Sequence, residues 1–287
     1  MERIDVIAKI KDSMSGLSKG HKSIAAYILE NRDKAAFMTA AALGSAVDVS
    51  ESTVVRFAAE MGYEGYPQMQ KALQASIRGR LTNVQRMELA TSKMGEENIL
   101  KSVIHADIEK LRQTAETLDN DDFLRAVEAI AKAKKIYVLG ARSCSSLTSF
   151  LGFYLNLIFK DVKTISTSSD SETFEQIFRV GEGDAVIAIS FPRYSSRTVK
   201  AVSYASSNGA DVVAITDSMD SPIIPYATHS LIARSDMSYF ADSLVAPLSI
   251  INAIIMALAI KNEKAVRDTF DKLENIWDKY EVYEKHE

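Results

Sequence analysis

The chain has 287 residues, about twice the size of an ordinary single domain, so two packed units are expected. Hydrophobic residues make up 47% and charged residues 25%, a balance that supports buried cores and excludes fibrous and disordered classes. With one cysteine, Cys144, and four scattered histidines, the chain offers no intramolecular disulfide and no thiolate cluster; neither a metal nor a cofactor is expected.

The net charge of −4 is unevenly spread. Residues 1–85 carry 11 Lys+Arg against 9 Asp+Glu, and the remaining residues carry 23 against 29. The basic bias of the front is compatible with phosphate contact on one face but too small to establish it. The longest apolar stretch, 243–260, is broken by Pro247, Ser249 and Asn252, whereas a membrane span needs about 20 mostly apolar residues. It reads as a buried helix. Residues 1–20 mix charges of both signs without an apolar block, unlike a secretory signal, so a cytoplasmic protein without a membrane partner is expected.

In chain order, helical periodicity predicts helices over 4–14, 18–31, 35–46, 52–61 and 66–80, with Gly62 and Gly65 as stop signals. A polar stretch, 81–97, follows. An amphipathic helix over 99–118 then repeats Val103, Ile104, Ile108, Leu111, Ala115 and Leu118 at three- and four-residue spacing. From Phe123 onward short apolar runs alternate with helical patterns. Strands are predicted at 135–140, 162–166, 185–190, 211–216 and 230–233, with intervening segments long enough for the crossovers of a parallel sheet. A last helical pattern over 262–283 carries Val266, Phe270, Leu273, Ile276, Trp277 and Tyr280 on one stripe. The expected division is 1–80 all-α, 81–119 linker and connecting helix, 120–262 α/β, and 263–287 a C-terminal helix packed on that domain or on a second copy.

Residues 39–47, the turn Asp48-Val49-Ser50 and residues 51–61 have the layout of two helices joined by a tight turn. Ser50 N-caps the second helix and Val49 points between the two. Val54, Val55, Phe57, Ala58 and Met61 form the buried side, leaving Glu51, Ser52, Thr53 and Arg56 outward. In a DNA-binding helix-turn-helix this half enters the major groove, where short hydroxyls reach bases or phosphates and arginine pairs with guanine. Spacing alone suits a capped surface helix of a bundle equally well. The runs LSKGHKSIAAYILEN and FMTAAALGSAVDVSESTVVRFAAEMGYEGYPQMQ, with VSESTVVRF and GYEGYPQMQ as their most specific parts, resemble the N-terminal domain of the RpiR (MurR/RpiR) family of bacterial transcriptional regulators. The resemblance implies a palindromic double-stranded DNA operator and a homodimer or tetramer, with Ser50, Glu51, Ser52, Thr53 and Arg56 at the DNA. Asp48 departs from it, holding a turn position where that family usually has glycine.

In the rear half, strand KIYVLG runs into Ala141-Arg142-Ser143-Cys144-Ser145-Ser146, and strand AVIAIS into Phe191-Pro192-Arg193-Tyr194-Ser195-Ser196-Arg197. Each loop precedes a helix, where open α/β sheets bind anions on free N–H groups. A third polar run, 166–173, includes Glu172. One such loop is more often simple helix capping; two on neighbouring strands favour a ligand. Residues 123–260, including ITDSMDSPIIPYA and FADSLVAPLSIINAIIMALA, resemble the SIS (sugar isomerase) domain. The resemblance implies a doubly wound, flavodoxin-like parallel sheet and an effector that is a phosphorylated sugar or sugar acid. It places Ser143, Ser190 and Ser195 at the phosphate. Cys144 and Pro192 hold positions often occupied by serine, and Arg142 and Arg193 replace common glycines. Arg142, Ser143, Cys144, Ser145, Glu172, Ser190, Arg193 and Ser195 are therefore the candidate effector residues. Both arginines suit an anion, or else acids across a subunit interface. Cys144, with no histidine nearby, reads as a packing residue rather than a nucleophile. SIS isomerases need a general base. The nearest candidates, Glu172, Glu175 and His229, sit in no catalytic signature, so a sensor is preferred to a sugar-phosphate isomerase or a metabolite-binding adaptor that does not bind DNA.

Overall fold

The computed structural model describes residues 6–77, 84, 87, 98–167, 169–235 and 241–283. Two compact units divide the chain, Met1–Arg86 and Met87–Glu287.

The first unit is built from α1 (Val6–Ser13), α2 (Lys19–Glu30), α3 (Arg32–Ala35), α4 (Ala40–Ala46), α5 (Glu51–Glu60) and α6 (Tyr66–Ile77). Ile10, Ile24, Ile28, Leu43, Phe57, Met69 and Leu73, one or two from each longer helix, are fully buried in its core. The helix expected over 35–46 forms only from Ala40, because Ala35 closes the one-turn α3 and residues 36–39 are not helical. Alanine propensity yields to local hydrogen bonding: Thr39 N-caps α4 by accepting from the Ala42 N–H at 3.1 Å. Polar side chains of α6 satisfy the carbonyls freed at the break. Tyr66 and Gln70 donate to the Met38 carbonyl at 2.8 and 2.7 Å, and Gln74 to that of Ala36 at 3.0 Å. Most of the polar stretch 81–97 and the end of the predicted helix 66–80 lie outside the described residues.

The second unit begins with α7 (Ile99–Thr117) and α8 (Asn120–Lys132). β1 (Ile136–Leu139), α9 (Cys144–Ile158), β2 (Val162–Ile165), α10 (Asp170–Ile177), β3 (Ala185–Ile189), α11 (Ser196–Ser207), β4 (Asp211–Thr216) and β5 (His229–Ile232) follow. The chain then forms α12 (Val245–Lys261) and α13 (Glu263–Lys279). The sheet is five-stranded in the order β2-β1-β3-β4-β5, parallel at every pairing. Strand alternation splits the core between two faces. Ile136, Val138, Ile187 and Val213 pack with Leu151 of α9 and Ile251 of α12, while Tyr137, Leu139, Val186 and Val212 pack with Ile177 of α10 and Val202 of α11. This is the doubly wound sheet expected. Chain order reverses on either side of β1, so the C-terminal ends of β1 and β3 form the topological switch point at which open α/β sheets bind ligands.

Two helices keep apolar residues outward. On α7, Ile104 and Ile108 of the amphipathic stripe are 49% and 55% exposed, while Lys110 and Thr114 are buried. The helix lies along α12 and turns a polar face, Asp107 and Thr114, to the segment after β5. On α13 no residue is fully buried; Ile260, Val266 and Phe270 line an open groove of about 410 Å³ between it and α12. Among the described residues no single helix is long and apolar enough to cross a membrane, and α12 and α13 pass that test only as a pair bent by 96°.

Candidate functional site

In the first unit, α4 and α5 meet across a turn with no room for a side chain at its corner. A Cβ on Gly44 would lie 2.7 Å from the Val49 carbonyl oxygen, because the Val49 N–H folds back to the Gly44 carbonyl at 2.9 Å. Asp48 takes the left-handed conformation (φ 54°), which a short polar side chain tolerates better than most. The turn therefore forms without glycine. Ser50 caps α5, accepting from the Thr53 N–H at 3.3 Å, and its hydroxyl also meets those of Ser52 and Thr53 at 2.9 and 2.8 Å. Arg56 is exposed and folded back along the helix, donating to the Ser52 carbonyl and the Thr53 hydroxyl at 3.3 and 3.4 Å. Val54, Phe57, Ala58 and Met61 are buried as expected, but Val55 is 42% exposed and Val49 only half-buried. Val55 follows the outward Arg56 edge, since neighbours in a helix are 100° apart.

In the second unit, β1 and β3 approach so closely at their ends that a Cβ on Gly140 would meet the Ile189 carbonyl at 2.9 Å. Beyond this point Arg142 adopts a left-handed conformation (φ 59°). Its side chain is exposed, as are Ser143, Ser145 and Arg193. Among the described residues the guanidinium groups of Arg142 and Arg193 have no hydrogen-bond or ion-pair partner. Ser145 donates to the Arg142 carbonyl at 2.6 Å, so its hydroxyl proton serves the start of α9. Cys144 is a correction to the effector set: it is 5% exposed within the core cluster, and burial pushes its thiol up to about 11. It fills space beneath the loops, its thiol hydrogen-bonded to the Phe191 backbone and the Ser143 side chain.

The loop from β3 to α11 is fastened at both ends by β4. Thr216 donates to the Ser190 carbonyl at 2.7 Å, and Tyr194 donates to the buried carboxylate of Asp217 at 2.8 Å. Ser190 is buried and Ser195, the N-cap of α11, half-buried without a side-chain capping bond. Glu172 accepts from the Thr167 hydroxyl, while its own N–H is capped by Ser169 at 3.4 Å. It thus organises the start of α10. His229 opens β5, at the edge of the sheet opposite the loops.

Residues 4–79 match the helix-turn-helix domain of the rpiR family, and residues 129–257 match the SIS domain. This chain belongs to the RpiR family. HexR of Escherichia coli K12, named an HTH-type transcriptional regulator, is 24% identical over 279 residues, covering 94% of this chain and 93% of HexR. The sugar isomerase domain of an RpiR transcription factor from Sphaerobacter thermophilus superposes with a TM-score of 0.60 at 25% identity, over 62% of this chain and 99% of that one. NanR of Vibrio vulnificus, solved with ManNAc-6P, superposes with a TM-score of 0.59 at 23% identity, over 96% and 98% of the two chains. That last likeness shows the fold alone.

The RpiR-family chain also holds a small recess that sequence reasoning missed. It measures about 20 Å³ and is lined by the ends of β1 and β2 with Thr167, Thr173, Arg197 and Thr198. None of the eight effector candidates lines it. Arg197 donates to Asp170 at 2.9 Å and to the Thr167 carbonyl at 3.0 Å. The available signal was a cation in the first turn of α11, where the helix dipole disfavours it unless an anion lies close.

Proposed function

We propose that this RpiR-family chain is a DNA-binding transcriptional regulator of carbohydrate metabolism whose operator affinity is set by a phosphorylated sugar or sugar acid held at the strand ends of its SIS domain. The observation that carries the effector half is Arg142. It is a non-glycine residue in a left-handed conformation whose exposed guanidinium has no partner among the described residues, in the loop after β1 at the switch point between β1 and β3. An arginine gains nothing local from that backbone, whereas an anion at this position gains a guanidinium fork. Arg193, Ser143, Ser190 and Ser195 surround the same switch point in this reading. Glu172 is held by Thr167 at the start of α10 and does not line the recess beside Arg197, which favours a sensor over an isomerase.

The DNA half rests on α5, whose capped N-terminal turn offers Glu51, Ser52, Thr53 and Arg56 to a major groove. Two copies place two such helices on the half-sites of a palindrome. An effector that prefers one arrangement changes operator affinity by its differential binding, and a coupling of ~1–3 kcal/mol gives a ~5- to 150-fold response. The experiment is a fluorescence anisotropy titration against duplexes from the region upstream of the chain's own coding sequence, over a range of salt. Thermal-shift screening of phosphorylated sugars and sugar acids accompanies it. Salt-sensitive binding to one palindrome, and an anion response removed by Ser190→Ala with Ser195→Ala, are expected. Equal affinity for all duplexes would overturn the regulator reading.

A further inference from the structure

Three polar side chains of α7 are turned into the second unit. Asp107, Lys110 and Thr114 share one side of the helix; Lys110 is 2% exposed and Thr114 5%. The Asp107 carboxylate accepts from the Ser243 hydroxyl at 2.6 Å and lies 3.4 Å from the Lys110 ammonium. The Thr114 hydroxyl accepts from the Arg234 N–H at 2.9 Å. Arg234 stands two residues after β5 and Ser243 two before α12. The helix is thus fastened near both ends of the segment joining them. Its apolar residues Leu100, Ile104 and Ile108, four apart, are meanwhile exposed.

Stability alone does not account for this orientation. Desolvation offsets much of the attraction in a buried charge pair, and apolar residues of similar volume in its place are often neutral or stabilising. What directional polar contacts supply is one register that either holds or breaks. The contacts also connect back to the anion loops. The Thr216 hydroxyl donates to the Ser190 carbonyl at 2.7 Å, the Ala233 N–H donates to the Thr216 carbonyl at 2.8 Å, and Arg234 is the next residue, bonded to Thr114. Because the strands are parallel, the C-terminal end of β5 lies on the same edge of the sheet as the loops after β1 and β3.

We propose that Asp107, Lys110 and Thr114 form a releasable polar latch through which anion binding at the strand ends repositions α7. The latch rests on the effector reading above. A spatial path of hydrogen bonds does not establish coupling; an element with two positions biased by the ligand does. The test uses the full chain with N-acetylmannosamine 6-phosphate, glucose 6-phosphate and 6-phosphogluconate as probes. It compares the wild type, Ser243→Ala, and the triple variant Asp107→Leu, Lys110→Met, Thr114→Val. Amide exchange over residues 99–117 is expected to change at least about fivefold in the wild type with a bound probe, within the usual range of coupling. In the triple variant the change is expected to fall below about twofold, with probe affinity retained or raised by up to the coupling factor, as linkage requires, and the unfolding temperature unchanged or raised. Ser243→Ala, a milder change that keeps the fold, is expected to give an intermediate response. A triple variant that unfolds at a clearly lower temperature makes the cluster a structural one and overturns the latch. A probe that binds without altering exchange in 99–117 overturns the latch alone. No thermal shift with any of the three anions defeats the effector reading, and the latch with it.

Discussion

The N-terminal turn of α5 and the loops at the ends of β1 and β3 are both candidate contact surfaces, yet they are organised in opposite ways. In α5 the outward groups bond to one another: Ser50 to Ser52 and Thr53, and Arg56 to Ser52 and Thr53. The hydrogen bonds among these outward groups all lie within seven residues. In the SIS domain the loop groups are fixed from far away in sequence, Ser190 by Thr216 and Tyr194 by Asp217, while the guanidinium groups of the two loop arginines have no described partner. A local surface can be read, and damaged, one residue at a time. A surface assembled by a sheet depends on strands whose pairing no short motif announces.

The largest expected effect separates the two regions altogether. Phe57 is fully buried beneath α5, and Phe57→Ala removes its packing and leaves a cavity, costing about 3–5 kcal/mol. Urea denaturation should show the first unit unfolding early and DNA binding lost, while an anion-induced thermal shift in the second unit persists. Loss of both together would mean that the two regions are not independent.

Arg56→Ala comes next. If Arg56 reads a guanine edge, the substitution weakens specific binding by about 1–3 kcal/mol and relaxes preference at one base pair. If it contacts only phosphate, affinity falls evenly over all duplexes and the salt dependence drops by about one ion. Anisotropy titrations against single-base variants of the palindrome distinguish the two. Ser50→Ala has a smaller effect, about 1 kcal/mol of stability from the lost cap, measured by the shift of the same urea midpoint. It is also expected to loosen Ser52 and Thr53, whose hydroxyls Ser50 holds at 2.9 and 2.8 Å.

The same contrast explains what the sequence disclosed. The turn at Asp48, the cap at Ser50 and the parallel sheet were legible because each rests on a short-range signal: a capping residue, a left-handed position, or alternation of strand and helix periods. The break at residues 36–38 was not, because Tyr66, Gln70 and Gln74 satisfy it from some thirty or more residues away. On α7 the periodicity located the helix, Ile99–Thr117, but not its polar contacts. Spacing finds an apolar face without saying what it meets, and here α12 and the segment after β5 present Ser243 and the Arg234 N–H. In the candidate effector site the loops were found by composition. The burial of Cys144, the engagement of Glu172 and the recess beside Arg197 follow from tertiary packing, which no single loop encodes.

The smallest effects test the comparison most closely, because the turn before α5 and the loop after β1 each hold a non-glycine residue at a left-handed φ, Asp48 at 54° and Arg142 at 59°. Glycine relieves that conformation at either position, with a gain limited to about 1 kcal/mol because the unfolded chain also becomes freer. Asp48→Gly should raise the unfolding midpoint of the first unit slightly, by less than Arg142→Gly raises that of the second, since aspartate tolerates the conformation better than arginine does. The functional consequences should diverge. Asp48→Gly leaves DNA affinity within about twofold, because Asp48 shapes the turn without facing the groove. Arg142→Gly weakens anion binding by about tenfold, the value of one charge-assisted contact at an exposed site. Calorimetric unfolding beside anion titrations reads both. A stabilised Arg142→Gly variant that binds anions as well as the wild type would leave the strain at Arg142 without a functional reason and transfer the anion site to Arg193 or Arg197.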